Sequence, residues 1–176
     1  MMSRPARRLS QAPGRGARSE RPDAWNAALK RLALRARTTH EMRTALARSG
    51  YAIEDIDAVI ARLTAARYLD DAEFARTWVS ARAQRGTAGP VRLARELRAK
   101  GIPAGEIAAA LRGLNEEWDS AEAAGEAARR KLKALQGLPA DTARRRLLTY
   151  LERRGFSRDL VLATCRRHFA DRDEIP

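Results

Sequence analysis

Three glycines constrain this chain more than any other feature. Aligned on Gly50, Gly101 and Gly155, the segments ALARSGYAIEDIDAVIARL, ELRAKGIPAGEIAAALRGL and YLERRGFSRDLVLATCRRH superimpose without a gap, at separations of 51 and 54 residues. The residue after each glycine is Tyr51, Ile102 or Phe156. Each suits the apolar contact that closes a helix end behind a left-handed glycine. Six residues beyond the glycine stand Ile56, Ile107 and Val161; ten beyond, Ile60, Leu111 and Cys165; thirteen beyond, Leu63, Leu114 and His168. That spacing lays one apolar stripe along a helix in each copy. A unit of roughly 50 residues has a small core, so neighbouring copies are expected to share interfaces.

Helix punctuation fits the repeat. Thr38-Thr39-His40-Glu41 reads as a capping box, followed by Met42, Ala45 and Leu46 before the stop at Gly50. Pro90 suits the first turn of a helix carrying Leu93 and Leu97, Pro103 opens another, and Pro139 precedes Leu147, Leu148 and Leu151. Ser157 can cap the last helix. No stretch alternates as a strand between hairpin turns. The expected fold is all-α: an elongated tandem array of three three-helix repeats, over residues 24–70, 71–115 and 116–176. Residues 1–23 carry six Arg, two acids and almost no large apolar side chain, the composition of a disordered basic tail.

Charge narrows the function. The chain has 35 Lys plus Arg against 22 Asp plus Glu, a net charge of +13. The tail holds +4 of this and the body +9, so the excess points to an anionic partner for the folded part. The one cysteine, Cys165, shares a position with Ile60 and Leu111 and reads as a core thiol. His40 falls in a helix first turn and reads as exposed; His168 sits where Leu63 and Leu114 sit and reads as packing. One Cys and two distant His give no zinc spacing. No phosphate-binding glycine loop, dinucleotide fingerprint or nucleophile elbow occurs. Neither cofactor nor metal is expected. No apolar run approaches the ~20 residues of a membrane span, and Arg4, Arg7 and Arg8 lack the apolar stretch of a secretory leader. A cytoplasmic monomer is expected.

The stretch YLDDAEFARTW (Tyr68 to Trp78) is the one place where paired carboxylates could suggest catalysis. It has instead the form of a helix start, with Asp70 as N-cap, Asp71 in the first turn and Glu73 reaching back. Leu69 and Tyr68 can pack on Phe74 as a hydrophobic staple, and Tyr68 and Trp78 read as core. Phe74, Trp78 and Arg82 share a stripe. Arg82 either lays its stem on the aromatics with its head on Glu96, or projects to a partner.

Arg82, Arg85, Arg92, Arg95, Arg98 and Lys100 cluster within nineteen residues with Glu96 as the one acid among them. The turn from Arg85 to Pro90 brings the two halves of this set together, predicting a compact positive patch able to meet phosphates or carboxylates. A second cluster, Arg129-Arg130-Lys131-Lys133 with Arg144-Arg145-Arg146, is offset by nearby acids, so the middle repeat is the better candidate.

In order along the chain, GYAIEDIDAVIARL, YLDDAEFARTWVSAR, GPVRLARELRAKGI and RRGFS resemble the motif string of the bacterial RecX regulatory proteins over roughly residues 25–170. Tyr68, Leu69, Asp70, Asp71, Phe74, Arg82, Gly89, Pro90, Glu96, Leu97, Lys100 and Gly101 match that pattern. One departure is the turn Gly86-Thr87-Ala88-Gly89-Pro90, a residue longer than the family's and without its aromatic. The resemblance implies chains of three-helix repeats that bind the RecA recombinase filament on single-stranded DNA and usually inhibit it, without enzymatic activity. DNA, single- or double-stranded, is a further contact the basic face could make. The alternative is an autonomous, non-specific nucleic-acid-binding helical protein.

Overall fold

A computed structural model describes residues 23–86 and 88–170. The basic tail read over residues 1–23 lies outside the described residues except for Asp23. That residue is the N-cap of the first helix, accepting a hydrogen bond from the Asn26 N–H at 2.7 Å. The described residues form nine helices and no strand. They are α1 (Ala24–Leu34), α2 (Thr39–Arg48), α3 (Ile53–Ala65), α4 (Asp71–Gln84), α5 (Pro90–Ala99), α6 (Ala104–Glu117), α7 (Ser120–Lys133), α8 (Ala140–Arg154) and α9 (Arg158–Phe169).

Each consecutive triplet encloses its own core. In the first, Ala24, Ala27 and Ala28 of α1 meet Met42 and Leu46 of α2 and Ile56, Val59, Ile60 and Leu63 of α3. The second gathers Ala75, Val79 and Ala83 with Leu93, Leu97, Ile107 and Leu114. The third gathers Ala124, Ala127 and Ala128 with Leu147, Leu151, Phe156, Val161 and Cys165. Small residues on the first helix of each triplet let it approach the other two closely. Leucines and isoleucines on the second and third supply the apolar area, about 1.5–3 kcal/mol for each fully buried side chain.

The three glycines end α2, α5 and α8 in one geometry, with φ of 76°, 77° and 84°. The glycine N–H donates to Ala47, Arg98 or Glu152 O three residues back. The next N–H, from Tyr51, Ile102 or Phe156, donates to Leu46, Leu97 or Leu151 O five residues back. This is a Schellman closure in all three copies.

A fourth such closure ends α3, where the Arg67 N–H donates to Thr64 O and the Tyr68 N–H to Leu63 O. Here the left-handed position is taken by Arg67 (φ 58°) rather than glycine.

Consecutive triplets are joined end to end through their second helices. At the N-terminus of α5, the Gly89 N–H donates to Arg154 O (2.7 Å) and the Val91 N–H to Gly155 O (3.0 Å), so the last carbonyls of α8 satisfy the first amides of α5. The other end of α5 meets α2: the hydroxyl of Thr38, the fully buried N-cap of α2, donates to Lys100 O at 2.7 Å and accepts from the Glu41 N–H. The helices α8, α5 and α2 thus form a head-to-tail column in which each negative helix end abuts a positive one. The approach needs glycine. A Cβ at Gly101 would lie 2.3 Å from the His40 Cβ, and a Cβ at Gly89 would lie 2.6 Å from Gly155 O. Gly89 and Val91 therefore form the socket for the third triplet, and the Gly86 carbonyl also accepts from Arg154 Nη1.

Candidate functional site

The acidic pair divides its labour between two helices. Asp70 Oδ1 accepts from the Glu73 N–H at 2.8 Å and caps α4. Asp71 Oδ1 accepts from the Thr39 N–H at 2.8 Å and caps α2 in the preceding triplet. Glu73 does not reach back as a capping box would have it; its carboxylate binds Arg76 (2.6 Å) and the Thr77 hydroxyl (3.1 Å). The staple also takes another form. Leu69 is buried in the first core, whereas Phe74 packs on the second, so adjacent cores and not one helix turn claim the two residues. Glu41 likewise turns away from Thr38 to meet Lys100 and Arg35.

Near the pair, Glu106 has a buried Oε2 with no hydrogen-bond partner among the described residues, and burial, then Asp71 and Asp70, push its carboxyl above the ordinary range. Among the described residues, no group of three or more His, Cys, Asp or Glu is placed to hold a metal ion. Cys165 is buried, and burial pushes its thiol up, away from the thiolate a nucleophile requires. His40 is exposed and lies against Gly101. His168 is half-buried beside Phe169, its imidazole held below the ordinary value by burial and by Arg129 and Arg167.

The six clustered cations separate into two sets. Glu96 collects Arg82 (3.4 Å) and Arg92 (3.0 Å) and accepts from Trp78 Nε1 at 3.2 Å. Lys100 binds Glu41 across the joint at 2.8 Å. Its ammonium and the Arg82 guanidinium lie 4.4 and 4.7 Å from the Trp78 ring centre. Phe74 stacks on the same indole with centres 5.8 Å apart. These three cations brace the second triplet and its joint with the first. The other three, Arg85, Arg95 and Arg98, are exposed and have no ion-pair partner among the described residues.

The fold adds cations to Arg82 and Arg85 that no stretch of sequence grouped with them. A groove of about 500 Å³ runs beside α4 where the first two triplets meet. Its wall is the α4 stripe Phe74, Thr77, Trp78, Ala81 together with Tyr68, and around it stand Arg35, Arg37, Arg67, Arg82 and Arg85 with the acids Asp70 and Glu73. Tyr68, expected in the core, is 58% exposed, because the Schellman closure at Arg67 turns it outward while Leu69 takes the buried place. Burial, and the like charge of Arg35 and Arg31 against an opposing Glu41, hold the Arg37 guanidinium below its ordinary value. Five arginines against two carboxylates leave the groove net positive, although Arg35 is paired with Glu41 and Arg82 with Glu96. A readable signal existed: Leu63-Thr-Ala-Ala-Arg67-Tyr68 has the spacing of Leu46-Ala-Arg-Ser-Gly50-Tyr51, which marks Arg67 as a left-handed helix end.

Comparison with known proteins covers all three triplets. Family descriptions match in chain order: "RecX, first three-helix domain" over residues 24–63, "RecX, second three-helix domain" over 70–111 and "RecX, third three-helix domain" over 117–164. Similar proteins named "Regulatory protein RecX" include one from Mycobacterium ulcerans, 41% identical over 76% of this chain and 77% of the relative. Another, from Prosthecochloris aestuarii, is 35% identical over 83% of this chain and 93% of the relative. Among solved structures, RecX from Lactobacillus salivarius shares the fold with a TM-score of 0.74 at 21% identity, over 82% of this chain and 93% of that one.

Proposed function

The chain belongs to the RecX family of regulatory proteins, and on that premise we propose that it binds the RecA recombinase filament on single-stranded DNA and restrains its recombination and repair activities. The role is that of a binding protein that makes and breaks no covalent bond.

The observation that carries this reading is the column α8–α5–α2. Three modules joined end to end by hydrogen-bonded helix ends spread contacts over several protomers of a polymer, as a compact domain of the same size would not. Occupying several protomers blocks access of a second DNA and opposes filament growth. The exposed Arg85, Arg95 and Arg98 supply charge toward acidic protein surface or DNA backbone. A monomer in the cytoplasm suffices, without cofactor. The test is RecA ATPase and DNA strand exchange on single-stranded DNA with the protein below stoichiometry. Both are expected to fall, and no change in either would overturn the reading.

A second reading, autonomous and non-specific nucleic-acid binding, is favoured by one observation: Arg95 and Arg98 are exposed, three residues apart and without acid partners among the described residues. It requires DNA binding in the absence of RecA, with a log–log salt slope of about −1.4 for two neutralised phosphates on a single strand.

A further inference from the structure

We propose that the groove beside α4, between the first and second modules, seats an acidic segment of the protein partner that carries an apolar anchor side chain. This rests on the reading of the chain as a filament-binding protein and names the chemistry of one contact. The wall is concave and apolar, built from Tyr68, Phe74, Trp78 and Ala81, in a volume within the ordinary range for one or two large side chains. The rim is net cationic from both modules: Arg35 and Arg37 from the α1–α2 connection, Arg67 from the α3–α4 connection and Arg85 from the end of α4 outnumber Asp70, which caps α4, and Glu73, which is paired with Arg76. An apolar wall beside a net positive rim, in which Arg37, Arg67 and Arg85 have no ion-pair partner among the described residues, is complementary to an apolar side chain flanked by carboxylates, which arginine forks bind two oxygens at a time.

The same geometry argues against a nucleic-acid strand as occupant. Base stacking needs an open ring face, but Trp78 is already engaged by Phe74, Arg82 and Lys100, leaving Tyr68 as the one largely exposed ring of the wall.

A second observation points to a working surface. Arg67 holds the left-handed position that the three equivalent helix ends give to glycine, and its side chain is exposed on the groove rim with no partner among the described residues. Backbone strain kept at an exposed, unpaired cation fits a side chain retained for contact.

The experiment places p-benzoylphenylalanine at Thr77, an exposed groove residue, in the full chain bound to RecA filaments on single-stranded DNA. Irradiation is followed by mass-spectrometric mapping. The expected crosslink falls on a recombinase segment with acidic residues flanking Leu, Ile, Met or Phe. Crosslinking to DNA or to a neutral or basic protein surface, or no crosslink while the filament retains the chain, would overturn the groove assignment and leave the filament reading standing. Failure of the unsubstituted chain to bind the filament would overturn both. Arg67→Gly separates contact from folding: its melting temperature is expected to rise while filament affinity falls roughly fivefold or more. A raised melting temperature with unchanged affinity overturns the proposal, as does unchanged affinity in folded Arg85→Glu.

Discussion

Asp71 Oδ1 accepts a hydrogen bond from the Thr39 N–H at 2.8 Å, although 32 residues and a module boundary separate them. The neighbouring Asp70 does the same service for its own helix. Two adjacent carboxylates are thus accounted for by two helix N-termini. Asp70→Ala and Asp71→Ala are each expected to cost about 1 kcal/mol in denaturant unfolding, within the usual range for a lost cap. Loss of regulatory function in Asp70→Asn with Asp71→Asn at unchanged stability would show that the pair does something other than capping.

The joint between the second and third modules depends on Gly89, whose N–H donates to Arg154 O. Its φ of −84° suits any residue, so Gly89→Ala tests close approach alone. The added methyl would lie 2.6 Å from Gly155 O and is expected to cost about 1–3 kcal/mol as overpacking. Gly113→Ala, on α6 with nothing near the new methyl, should raise stability by about 0.5–1 kcal/mol. Thermal melts of the two variants in opposite directions check the socket against a general effect of Gly→Ala.

Two glutamates make stability depend on pH with opposite signs. Burial pushes the Glu41 carboxyl up, but hydrogen bonds from Lys100 and Arg35 outweigh it and hold the group below the ordinary range. A depressed carboxylate stabilises the fold above its unfolded value of about 4.3 and loses that contribution as pH falls through its own lower value. Glu106 is raised, chiefly by burial, so its charged form disfavours the fold at neutral pH and protonation relieves it. At neutral pH, Glu41→Gln is expected to lower the melting temperature and Glu106→Gln to raise it. Both differences should vanish at acidic pH, where the wild-type carboxyls are protonated in both states. A pH-independent offset in either variant would contradict the assignment.

The parts of this molecule legible in sequence are those fixed by local chemistry. The glycine ends at 50, 101 and 155, the Asp70 cap, the proline starts and the core places of Ile56, Ile107 and Val161 follow from residue type and period, and the fold has them there. What sequence withheld is what docking decides. Arg92 looks like Arg95 until Glu96 and Gly155 are brought beside it. The groove draws on residues 35–37, 67–68 and 70–85, which no window unites. The head-to-tail column was hidden for the same reason: repeat equivalence says which positions are alike, not which copy's helix end meets another's.

That distinction between look-alike arginines makes the sharpest test of the basic surface. Arg92 lies against Gly155 and binds Glu96, so Arg92→Glu sets two carboxylates together at a tight joint. It is expected to lower the melting temperature, and any loss of binding would follow from damage to the fold. Arg95 and Arg98 are exposed and unpaired among the described residues, so Arg95→Glu with Arg98→Glu removes no internal contact. That double variant should melt within about 0.5 kcal/mol of the wild type, as surface changes do. In pull-downs on RecA filaments its affinity should fall about tenfold at low salt, by a smaller factor at high salt because exposed charges are screened. Wild-type retention by the double variant at both salt concentrations would move the partner contact off α5 altogether.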